Sequence, residues 1–124
     1  MLETDRIIVT RRLHKNTVGN PEWIYVKDIF RSVPERIKGE NKIVITTYDG
    51  IEYFYATTSD AIIEVLSKEN GFVIVDRGRI VNLNHDVDID YENGIIRLAK
   101  QGINVFIGIA RSRIDDVKRF FSDK

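Results

Sequence analysis

Arg77 and Arg79 stand two residues apart within Gly71–Asn84, G-F-V-I-V-D-R-G-R-I-V-N-L-N, between two short apolar steps. Phe72, Val73, Ile74 and Val75 on one side, and Ile80 and Val81 on the other, favour a packed, pleated surface. A polar break between such steps directs two guanidiniums outward from chain that is held rigidly on both flanks. A guanidinium is planar, always charged and forked, so it suits bidentate contact with an anion or a guanine edge. Two further polar segments carry related chemistry. Pro34–Lys42, P-E-R-I-K-G-E-N-K, brings Arg36, Lys38, Asn41 and Lys42, and Ala110–Arg113 brings Arg111 and Arg113 at the entry to a helix. Arg and Asn are the side chains best suited to read guanine and adenine edges in the major groove. Backbone N–H groups at a helix entry suit phosphate. Read from chemistry alone, all three segments also fit ordinary solvated loops, and that alternative stays open.

Other chemistries find less support. Asp86, Asp88 and Asp90 alternate, so a strand would place three carboxylates on one face. A calcium loop of the D-x-D-x-D kind also needs Gly at its sixth position and Glu at its twelfth. Those positions hold Tyr91 and Arg97, so the run reads as a solvated strand face that discourages edge pairing, with no metal bound. His14 and His85 lie in polar loop sequence, and no nucleophile elbow accompanies either. The glycines occur singly in turns, which leaves no phosphate-cradling loop. The chain is expected to be a recognition protein, not an enzyme, with no cofactor and no small-molecule substrate.

Length and composition narrow the class. The 124 residues fit one domain, 1–124, large enough to bury about two-thirds of the unfolded surface. At 43% hydrophobic and 31% charged, the sequence fits a globular fold and not a disordered one. No apolar run approaches the roughly 20 residues of a membrane-spanning helix. The opening M-L-E-T-D-R lacks the layout of a signal peptide, and the absence of cysteine is compatible with a reducing compartment. A cytoplasmic protein without membrane association is expected. Nineteen basic residues balance nineteen acidic ones, which argues against an indiscriminate polyanion binder. A specific binder would have to gather its cations on one side.

The elements that must hold these residues are mostly strands. Ile7–Thr10, Trp23–Val26, Ile29–Val33, Lys42–Tyr48, Ile51–Ala56, Phe72–Val75, Val87–Tyr91, Ile95–Ala99 and Val105–Ile109 are rich in β-formers. Asp49-Gly50, Asn70-Gly71 and Asn93-Gly94 between them suit type I′ hairpin turns, making most neighbours antiparallel. Ser59–Lys68 spaces Ile62, Ile63 and Leu66 as a helix does, with Ser59 as its expected N-cap. Ser112–Phe121 reads as a second helix, opened by a capping box of Ser112 and Asp115. Pro21 and Pro34 are expected at strand edges or turns.

The order of these features resembles the LytTR family of DNA-binding domains over about residues 6–121. The resemblance rests on the opening strand, a strand ending in Asp28-Ile29, and a T-x-D-G hairpin at Thr47–Gly50. A helix follows, then F-x-x-x-x-R-x-x-I-V-N at Phe72–Asn82 and Ile-x-Arg-Ser at Ile109–Ser112. It implies a mainly β fold, an elongated β-β-β arrangement of small antiparallel sheets with two short helices. It also implies the output half of a bacterial response regulator, whose loops enter successive major grooves of double-stranded DNA at direct repeats. Paired repeats would be occupied side by side, as by a homodimer. On this resemblance Asn41, Arg77 and Arg111 read bases, while Lys42, Arg79 and Arg113 lie on phosphates. Asp76 and Gly78 depart from the family pattern, which commonly has His and Ser there. A carboxylate repels phosphate, though it can accept from a cytosine amino group or orient Arg77. The other expectation is therefore a domain of this fold serving as a protein-interaction or regulatory module without DNA affinity.

Overall fold

Glu40–Thr47 carries five consecutive buried residues, Ile43 to Thr47, so the sheet around it has to be covered on both faces. The structure, a computed structural model, describes residues 5–14 and 17–122; residues 1–4 and 123–124 of the expected domain lie outside them. It is mainly β, with two antiparallel sheets and two short helices. Strands β1 (Arg6–Arg12), β2 (Val18–Tyr25), β3 (Ile29–Ile37), β4 (Glu40–Thr47), β5 (Glu52–Tyr55), β6 (Phe72–Asp76) and β7 (Arg79–Asn82) form one sheet. Its order is β2-β1-β5-β4-β3-β7-β6. Strands β8 (Val87–Asp90), β9 (Ile95–Leu98) and β10 (Phe106–Gly108) form the other, in the order β10-β9-β8. Helices α1 (Ser59–Leu66) and α2 (Ile114–Ser122) complete the fold.

Successive residues of a strand point to opposite faces, and the two apolar clusters divide accordingly. Ile43 and Ile45 of β4 join Ile7, Val9, Tyr53 and Ile80, and are covered by Ile62 and Leu66 of α1. Val44 points the other way, to Val33, Phe54, Val75 and Val81. That face is covered by Ile96, Leu98 and Ile107 of the small sheet and by Val117 of α2.

Local details differ from the sequence expectation. The turn with two positive φ values is Lys38-Gly39, at 51° and 81°, and it joins Ile37 directly to Glu40. Asp49, Asn70 and Asn93 keep negative φ and only the following glycines are left-handed, so these are not type I′ turns. Thr58, not Ser59, caps α1, its Oγ1 accepting from the Ala61 N–H at 3.1 Å. Ser112 caps nothing, because a 3-10 turn over Arg111–Arg113 precedes α2. That places Ser112 inside helical backbone, whereas a capping side chain needs an extended residue. Pro21 sits in the edge strand β2 as expected. Pro34 lies in β3, past its last registered pair with β7, Ser32 with Ile80.

Leu66 is fully buried where α1 meets the sheet. Leu66→Ala is expected to cost about 2–5 kcal/mol, read as a fall in urea midpoint at unchanged slope. A loss below about 1 kcal/mol would contradict this packing.

Candidate nucleic-acid interface

The β6–β7 hairpin turns through Arg77 and Gly78, with Asp76 opposite Arg79 and Gly78 at a φ of 73°. Arg77 and Arg79 are both exposed. Asp76 is exposed too, and its Oδ1 accepts from the Arg77 backbone N–H at 2.7 Å, so the carboxylate braces the turn. A β-carbon on Gly78 would lie 3.2 Å from Pro34 Cγ and 3.5 Å from Ser59 Cβ. The turn is thus wedged between β3 and the start of α1.

The β3–β4 hairpin extends beyond this contact. Pro34 pairs with Ile43, Glu35 with Lys42 and Arg36 with Asn41. Asn41 is exposed and stands two residues, about 7 Å, further out than the Pro34–Ile43 pair. Lys42 is half-buried, its Nζ 5.3 Å over the Phe54 ring.

The third segment is attached to β6 by one backbone bond, from the Ala110 N–H to the Val75 carbonyl at 2.7 Å. Arg77 lies two residues beyond Val75, and Arg111 one residue beyond Ala110. The two loops therefore meet at one corner, and the β3–β4 tip stands out at the same end. Arg111 and Arg113 are exposed, but Arg113 Nη1 lies 3.3 Å from Asp116 Oδ2, so its charge is shared within the helix. Carboxylates interleave with these cations, at Glu40, Asp60, Asp76 and Asp115.

Sequence reasoning missed the residues that hold the loops. Arg12 grips Glu35 of β3 through two bonds, 2.8 and 2.9 Å, and reaches Glu52 at 3.5 Å. Arg31 approaches Glu52 at 3.5 Å and donates to Thr46 Oγ1 at 3.1 Å and to the Phe106 carbonyl. The hydrogen bond to Glu35 holds the Arg12 guanidinium more firmly protonated than usual. Burial draws Arg31 the other way, against the pull of Glu52. These residues lie 15 to 75 positions apart, so only the strand register brings them together.

The other singled-out residues are placed plainly. Asp86, Asp88 and Asp90 are exposed and alternate with half-buried Val87, Ile89 and Tyr91. Hydrogen bonds from Asn93 draw the Asp90 carboxyl below its ordinary range. His85 Nε2 lies 2.9 Å from the Lys27 carbonyl, and its ring stacks on Tyr48. His14 is exposed. Among the described residues no three His, Cys, Asp or Glu side chains gather as metal ligands would.

No family model matches this chain, and no curated protein matches it either. The resemblance to LytTR domains rests on its motifs alone.

Gly78→Ala is expected to destabilise by about 1–3 kcal/mol, since the new methyl meets Pro34 in a left-handed backbone. Backbone amide shifts should move around Arg77 and Arg36. Shifts confined to residue 78 and its two neighbours would show that the turn is not wedged.

Proposed function

We propose that this chain binds double-stranded DNA sequence-specifically, as the DNA-contacting part of a bacterial, cytoplasmic transcriptional regulator of the LytTR kind. Asn41, Arg77 and Arg111 contact bases, and Lys42, Arg79 and Arg113 contact phosphates. One observation carries this reading. Three polar segments distant in sequence meet at one end, joined by the Ala110–Val75 bond and the Pro34–Gly78 contact, with Asn41, Arg77 and Arg111 all exposed. Groove readers need side chains placed by rigid backbone, and these loops are short and braced. Arg36 and Lys38 lie on the same hairpin and add charge.

The second reading, a protein-interaction module without DNA affinity, is favoured by Asp76. That carboxylate is exposed beside Arg77, in a chain with no net charge. Its bond to the Arg77 N–H limits the cost, because the charge is turned onto the protein's own backbone.

Selection from a randomised duplex pool followed by anisotropy titration separates the two. Arg77→Ala and Arg111→Ala should each weaken the selected duplex by about 1–3 kcal/mol and relax preference at one position. Lys42→Ala should weaken all duplexes alike and reduce the salt slope by about one. No binding to any duplex at low salt would favour the interaction module. Unchanged affinity in both arginine variants would remove the base-reading assignment.

A further inference from the structure

The end of the molecule remote from these loops has the opposite chemistry. There β2 runs out into a 3-10 turn, Val26–Asp28, beside the turn that joins β4 to β5. A cavity of about 160 Å³ lies between them, walled by Trp23, Tyr25, Tyr48 and Tyr53 and edged by Asp28, Asp49 and Glu22. Trp23, Tyr25 and Tyr48 rank among the exposed large hydrophobic residues, at 58%, 43% and 39%, whereas Tyr53 is buried. A cavity lined by exposed aromatic residues and three carboxylates makes a poor site for an anion. Ring faces are electronegative and attract cations.

The carboxylates are not equally engaged. Glu22 is held by Arg11 through two bonds, 3.0 and 3.1 Å. Asp49 Oδ1 accepts from the Ile51 N–H at 3.2 Å and from the Thr47 hydroxyl. Asp28 is half-buried, and among the described residues its carboxylate has neither a hydrogen-bond nor an ion-pair partner. Its backbone carbonyl accepts from the Tyr48 N–H at 3.0 Å, which fixes it beside the aromatic wall.

The chain already places a cation on each ring: Arg6 over Trp23, Lys27 over Tyr25, Lys100 over Tyr48 and Arg11 over Tyr53, at 4.9 to 5.7 Å. None of these four residues lines the cavity. Arg11 answers Glu22, which leaves Asp28 and Asp49 as the cavity's carboxylates without a cation among the described residues. The Tyr53 hydroxyl, raised above its ordinary range first by burial and next by Glu22, is consistent with a negative field.

We propose that this cleft binds an organic cation, a guanidinium or alkylammonium head, with Asp28 as counter-charge and Trp23, Tyr25 and Tyr48 as walls. A hard metal ion would need six or more oxygen ligands, which aromatic walls do not supply. The volume suits one head group with a short stem, since larger ligands occupy about 300 Å³ or more. A free amine and a basic side chain of a peptide both present such a head. The recognition chemistry is the same, and the site is independent of the DNA reading.

Trp23 is the chain's one tryptophan, so its emission reports the cleft directly. Titration with tetramethylammonium chloride and with N-acetyl-arginine amide, against sodium chloride at equal ionic strength, should give saturable changes with the organic cations only. Tighter binding of the arginine amide assigns the site to a peptide side chain, and tighter binding of tetramethylammonium assigns it to a free amine. Asp28→Asn should weaken binding at least tenfold, and Tyr48→Leu should do the same while Tyr48→Phe retains it. Unfolding midpoints of the variants separate lost binding from lost fold. Emission that follows salt alone, or undiminished binding in folded Asp28→Asn, would overturn the proposal.

Discussion

One backbone hydrogen bond, from the Ala110 N–H to the Val75 carbonyl at 2.7 Å, decides where the end of the chain goes. β6 is an edge strand, and an edge with open carbonyls invites pairing with another chain. Ala110 fills that position, and the consequences run in both directions along the chain. Upstream, the Ile109 N–H bonds the Gly94 carbonyl at 2.7 Å, so β10 is tied to the β8–β9 turn before it leaves the small sheet. Downstream, α2 starts on the face where Val117 can enter the cluster of Val75 and Val81. Arg111 comes to lie beside the Arg77 turn because of a packing requirement. Its neighbours are chosen by the sheet edge, whatever it contacts in solvent.

The charged network across the large sheet answers a related problem. Arg12 and Arg31 leave most of their water behind, and an unpaired buried charge is strongly unfavourable. Glu35 and Glu52 meet that requirement from β3 and β5, and the Phe106 carbonyl completes the shell of Arg31. Its residues span β1, β3, β4, β5 and β10, so it also locks the β3–β4 hairpin against the small sheet. Such a network is weak evidence for net stability, since apolar replacements of the same shape can be as stable, whereas removing one partner leaves an uncompensated charge.

Much of this architecture was legible in the sequence. Lys42–Tyr48 reads as a strand and Arg77 as part of a polar break between apolar steps, whereas the burial of β4 on both faces and the strand over Arg79–Asn82 are seen only in the structure. Helical spacing of Ile62 and Leu66 finds the buried face of α1. The rest depends on geometry that one sequence does not carry. Lys38-Gly39 takes the type I′ turn because pairing of Ile37 with Glu40 leaves two residues, not because Lys favours positive φ. Thr58 displaces Ser59 as cap through a shift of one residue, below the resolution of pattern reading. The meeting of Arg77 with Arg111 rests on the Val75 carbonyl, and nothing local to either arginine announces it. Asp28 looks like an ordinary loop acid until the Tyr48 N–H, twenty residues on, is found bonded to its carbonyl.

Charge balance acquires a different meaning once the two ends are compared. Nineteen cations and nineteen anions give no net field to draw in a polyanion from a distance. Fixed charges also act over only about 8–10 Å in physiological salt. Any affinity of the loop end for DNA must therefore arise at contact, where a misplaced guanidinium gains little. Rigid placement then matters more than total charge. Two bonds from Arg12 to Glu35, one from Ala110 to Val75 and the close approach of Pro34 to Gly78 supply that rigidity. Both ends mix the two signs. The loops set their cations among Glu40, Asp60, Asp76 and Asp115, and the opposite end sets Glu22, Asp28 and Asp49 among Arg6, Arg11 and Lys27. Selectivity at either end therefore rests on where each charge is held and not on a local excess.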